Sequence, residues 1–224
     1  MDLGSTDVYV SLFSGLSGAI IGGLFTLKGA TKAHELALKK EEAADREKMI
    51  TTLMLLRTEI ATAWEIFMKE YGQALSLHPP ETPFLVIMPL GASPFPIFES
   101  APQALNLLPR ELAKDIIYFY MRAKGVIAMI EINNRDYEQA LQFGRSYLSD
   151  YMQRARDQGK ELTDEMREQV IESSVGFMAA QLGMGDTADG IRSLGQELKP
   201  IVLRIIARVD ELVFPDSDLL KQAG

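Results

Sequence analysis

Two imidazoles, His34 and His78, are the only histidines of a 224-residue chain that has no cysteine. Without a thiol, disulfides, thiolate metal sites and a cysteine nucleophile are all excluded. A zinc-protease helix needs a second histidine one turn after the first, but His34-Glu35 is followed by Leu36-Ala37-Leu38-Lys39. Neither histidine stands three residues after a glutamate, the spacing of a carboxylate di-metal bundle. Both read as surface or loop residues. No G-x-S-x-G elbow exists for a serine nucleophile. Gly183-Met184-Gly185-Asp186, with Asp189-Gly190 after it, lacks the lysine ending and preceding strand of a phosphate loop. It also lacks the closing glutamate of a calcium loop and reads as a helix breaker. Tyr118, Tyr120, Arg122 and Lys124 form an aromatic-basic patch too small for nucleic acid. A net charge of −8 and a pI near 4.9 also repel a phosphate backbone. The chain is expected to be no enzyme, with no cofactor, no metal and no nucleic-acid partner.

The residues that bind rather than react are more distinctive. Residues 78–102 hold seven prolines, which disfavour helix. Yet Phe84, Leu85, Val86, Ile87, Met88, Leu90, Phe95, Ile97 and Phe98 make the segment apolar. An apolar loop of this length left in water invites aggregation. An extended strap laid across a helical body is therefore expected, with a short strand at 84–88. Phe95, Phe98, Glu99 and Tyr120 are the candidate partner or ligand surface, and His78, Glu99 and Tyr120 the polar groups for a pocket under the strap.

Further back lies a different feature. Val8 to Leu27 is a run of twenty residues without a charge, bounded by Asp7 and Lys28. About 20 apolar residues of helix cross a bilayer once. The seven preceding residues contain no basic side chain, so a cleaved signal peptide is not expected. Lys28, Lys32, Lys39 and Lys40 follow, which puts the amino terminus outside and residues 28–224 in the cytoplasm, at an inner or plasma membrane. Ser11, Gly15, Gly18, Gly22, Thr26 and Gly29 step by three and four and share one stripe of a helix. Small faces let membrane helices approach closely, so self-association or a partner's membrane helix is expected.

The remaining elements follow from periodicity. The organisation read is a tail and anchor (1–27), a charged helical stalk (28–48), a helical bundle (49–214) with the strap at 78–108, and a tail (215–224). One helix is expected from the anchor to about residue 76, its stripe being Met49, Leu53, Leu56, Ile60, Trp64 or Ala63, Phe67, Tyr71 and Leu75. A second is expected from Pro109 to Asn133, with a turn at Asn133-Asn134, and a third from there to Gly159. Thr163 caps the next, which Gly183 and Gly185 end. The last, closed by Phe214-Pro215, should kink or break near Lys199 because Pro200 lies in its phase. The fold class is all-α.

The glycine-rich segment leading to MLLRTEIATAWEIF, with FPIFES and ALNLLPRELAKDIIYFYMRAKGV, resembles uncharacterised bacterial proteins with one membrane helix and a helical cytoplasmic domain. The resemblance spans residues 8–130. It implies membrane location and a helical fold, and carries over no activity or functional residue. The leading expectation is a membrane-anchored interaction, scaffold or sensing module, self-associating through its anchor, with an unidentified cytosolic protein partner. The alternatives are a membrane-perturbing effector of the phage-defence or toxin kind, and a small-ligand-binding protein or enzyme with a pocket under the strap.

Overall fold

A computed structural model describes the backbone of residues 6–101 and 104–214, with side chains for 23, 25–101 and 105–214. All regular elements among these residues are helical, so the all-α class holds. They are α1 (Thr6–Phe67), a π-helical turn (Met68–Gly72), α2 (Gln73–Leu77), α3 (Pro96–Ser100), a 3-10 turn (Ala104–Leu107), α4 (Arg110–Asp157), α5 (Asp164–Gln181) and α6 (Met184–Val213). The chain divides into two compact units, Met1–Ile50 and Thr51–Gly224.

In the first unit the described side chains are exposed up to Lys48. Glu35 and Lys39, and Glu42 and Arg46, have the spacing of helix ion pairs but form none here. Exposed pairs of this kind hold little energy, and their side chains stay hydrated. Of the small-residue stripe, Ser11, Gly15, Gly18 and Gly22 lie outside the residues whose side chains are described; Gly29 is open on all sides. Among the described residues no helix is long and apolar enough to cross a membrane, and most side chains of Val8–Leu27 lie outside those described.

The second unit is built on the amphipathic stripes of its helices. Leu53, Leu56 and Ile60 of α1, Leu75 of α2, Leu112, Ile116 and Ile130 of α4, and Ile191, Val202, Ile205 and Val209 of α6 are buried. Burying one such side chain stabilises by about 1.5–3 kcal/mol. Against α5, a further cluster of Ala140, Val175, Ala179 and Met184 closes the far end of α4. A methyl on Gly144 would come within 2.5 Å of Val175, so this close approach of α4 and α5 requires glycine. Charged pairs tie the helices at the rim: Arg57 of α1 to Asp210 of α6 at 2.6 Å, and Arg204 of α6 to Asp115 of α4 at 2.7 Å.

Three expectations are corrected. Asn133-Asn134 makes no turn, because α4 runs through it without a break to Asp157. Helix α6 likewise runs through Pro200, so the expected break near Lys199 does not occur. Gly183, with φ +74°, ends α5 and precedes α6, but Gly185 already lies inside α6. Two other helix boundaries agree with their signals. Thr163 accepts the Met166 N–H at 3.3 Å as an N-cap, and Gly159, at φ +69°, follows the end of α4.

Candidate functional site

The strap is held by side chains of the helices beneath it. At its start, Arg192 of α6 donates to the carbonyls of Leu75 (2.8 Å) and His78 (2.9 Å), and Asp189 accepts the Glu81 N–H at 2.9 Å. Glu81 takes a left-handed φ of +58°, and its carbonyl would stand 2.5 Å from a methyl on Gly185. Only glycine permits that approach. Next, Asn134 takes the N–H of Met88 (2.8 Å) on its oxygen and donates its amide to the same residue's carbonyl (2.7 Å). Asn133 donates to the Val86 carbonyl at 3.0 Å. The strand expected at 84–88 is therefore absent, since two asparagines satisfy the backbone in place of a neighbouring strand. This is also why the asparagine pair sits in mid-helix.

At its far end the strap is held by a buried carboxylate. Glu59 of α1, 8% exposed, accepts the N–H groups of Ile97 (2.7 Å) and Phe98 (3.1 Å) at the start of α3. Its Oε2 also accepts the Tyr120 hydroxyl at 2.6 Å. Three charge-assisted bonds compensate the carboxylate for lost water. Burial, and the bond to Glu59, push the Tyr120 phenol far above its ordinary range. Phe98 stacks on Tyr120 at a centroid distance of 3.8 Å, and Phe95 meets it edge-on at 5.0 Å.

The candidate residues thus meet, but not as a surface. Phe95 and Tyr120 are core, Phe98 is half-buried, and only Glu99 is exposed, bonded to Lys124 at 3.2 Å. His78 stands apart at the start of the strap. Thr82 Oγ1 donates to the Pro79 carbonyl at 2.7 Å, so the 2.9 Å contact to His78 Nε2 makes the imidazole the donor there. Glu59 was not legible as a site residue, because its partners lie 38 to 61 positions away.

Between its fastenings at Met88 and at Ile97, the strap bridges a cleft of about 250 Å³. Its walls are Trp64 and Phe67 of α1, Pro89, Leu90 and Pro94 of the strap, and Phe119, Val126 and Ile130 of α4. His78, Glu99 and Tyr120 do not line it, whereas Phe95 does. Glu70 and Tyr71 of the π turn complete the wall. Burial raises the Tyr71 phenol, and its hydrogen bond to Glu70 raises it further.

A second apolar surface lies on α4 and α5. Phe143, Tyr147 and Tyr151 stack along α4 with centroids 6.0 and 6.5 Å apart, facing Met166, Val170 and Phe177. Phe177 is 60% exposed and Met166 44%. Among the described residues no group of acidic or histidine side chains is placed to hold a metal ion. Comparison with family models, with curated proteins and with solved structures finds no match.

Proposed function

We propose that this chain is a membrane-anchored, non-enzymatic interaction module. Its first helix crosses the bilayer once, with the body of residues 28–224 in the cytoplasm. The helix self-associates through its small-residue face, and the helical body receives a cytosolic protein. The observation that carries the reading is the uncharged run Val8–Leu27, which lies on the helical backbone of α1 and is followed at once by Lys28 and Lys32. Two features of the body support the non-enzymatic part. The buried carboxylate Glu59 and the Tyr120 phenol are both occupied in fastening the strap. The exposed aromatic row on α4 and α5 is of the kind that protein contacts cover.

Membrane fractionation of the full chain tests it. The protein is expected to stay with the membrane pellet through an alkaline carbonate wash and to leave only with detergent. Protease added to spheroplasts should leave the carboxy-terminal body intact. Recovery in the carbonate supernatant, or digestion from outside, overturns the reading.

A further inference from the structure

The cleft beneath the strap has one polar edge, and the chemistry of that edge selects a ligand. The body of the cleft is aromatic and aliphatic. A volume of about 250 Å³ lies between the ~150 Å³ void that takes benzene and the ~300 Å³ at which drug-sized pockets begin. Its only ionisable lining groups are Glu70 and Tyr71, and Glu70 is the only charged one. Among the described residues no Lys or Arg pairs with Glu70. Arg192 and Lys199 belong to a separate hollow that shares Trp64 and Phe67, and Arg192 is taken up by Asp189 and two carbonyls. The cleft therefore offers an unneutralised carboxylate in a lining that also holds the aromatic rings of Trp64 and Tyr71. A carboxylate and aromatic faces together attract an ammonium group.

The strap makes this space accessible. Its backbone is fastened at Val86 and Met88 and again at Ile97 and Phe98. Between them Pro89, Leu90, Gly91 and Pro94 are exposed and are held by no side chain of the helices. A methyl on Gly91 would meet nothing within 4 Å.

We propose that the cleft is a binding site for a small amphipathic amine. Its aryl or alkyl body lies between Trp64, Phe67 and Phe119, and its ammonium group sits at Glu70. This site is independent of the membrane anchoring proposed above and holds whether or not α1 spans a bilayer.

Trp64 is the only tryptophan of the chain, so its emission reports the cleft directly. The full chain in mild detergent is titrated with 4-phenylbutylamine, 4-phenylbutanol and 4-phenylbutyrate, a cationic, neutral and anionic set of matched size. The amine is expected to change Trp64 emission saturably, with a Kd about two- to fivefold below that of the alcohol, the margin an ion pair at an exposed carboxylate gives. The butyrate should bind most weakly. Glu70→Gln, an exposed site whose change leaves the core intact, should bring the amine to the level of the alcohol. Ala123→Leu fills the cleft and should abolish all three responses with helicity by circular dichroism unchanged, whereas partition into micelles would persist. Equal affinity for the three probes, or an unaltered amine preference in Glu70→Gln, overturns the amine assignment. No saturable response to any probe, or a full response in a folded Ala123→Leu, overturns the site itself.

Discussion

Glu59 shows how one side chain can decide where a long segment lies. It accepts two backbone N–H groups of the strap and the hydroxyl of Tyr120, all within 3.1 Å. Glu59→Gln would point an amide N–H at one or more of these donors, leaving buried donors unpaired. A loss of ~2–3 kcal/mol is expected, read as a lowered denaturation midpoint. Tyr120→Phe removes one donor and leaves the carboxylate with the other two, so about half that loss is expected. At the rim the energies are smaller and depend on pH. The hydrogen bond from Arg204, more than their charge attraction, holds the Asp115 carboxyl below its ordinary value, against the opposing effect of burial. A lowered folded-state pKa stabilises above the unfolded value of ~3.9 and is lost as pH falls through the folded one. Arg204 is 56% exposed, which weakens the pair by solvent screening. Asp115→Asn should therefore cost under ~1 kcal/mol at neutral pH. The gap between mutant and parent melting temperatures should close as the medium is acidified below ~pH 3.9.

At the scale of elements, the stripes of apolar residues on α1, α4 and α6 were legible because core burial repeats with the helical period. The Asn133-Asn134 pair misleads for a physical reason. Asparagine in an isolated helix competes with the backbone and favours a turn. Here both amides turn outward from α4 to bond the strap, and tertiary bonds outweigh the local preference. Pro200 misleads in the same direction, since packing of Leu198, Ile201 and Val202 on either side keeps α6 continuous. The helix nevertheless lacks the Pro200 N–H. Pro200→Ala, at an exposed position, is expected to raise stability by ~1–3 kcal/mol, read from thermal melts. The strap's apolar character was legible too, but its fastening was not. Gly185 carries no sequence mark that distinguishes it from a helix end, yet a methyl there would meet the Glu81 backbone at 2.5 Å. Gly185→Ala should push the strap off α6. Amide exchange should then quicken at residues 80–88 while α4 stays protected.

At the scale of the molecule, the second unit packs around its own core, and the first exposes its described side chains up to Lys48. In the proposed reading the first unit's helix meets a bilayer and another copy of itself, and the two differ in what they demand of the small residues. Insertion needs length and apolarity, which Val8–Leu27 has whatever occupies Gly18 and Gly22. Association needs close approach of backbones, which bulk at those positions denies. Replacing both by Leu keeps the run uncharged and adds volume only on the stripe. Full-length protein carrying Gly18→Leu and Gly22→Leu is expected to remain in the membrane pellet with unchanged helicity. Its yield of crosslinked dimer should fall several-fold in a membrane preparation treated with an amine-reactive linker. Equal dimer yields would show that the stripe plays no part in assembly and would move any self-contact to the exposed aromatic face of α4 and α5. Loss of the double mutant from the pellet would show instead that retention itself depended on a small-residue contact, and would overturn an anchor held by hydrophobicity alone.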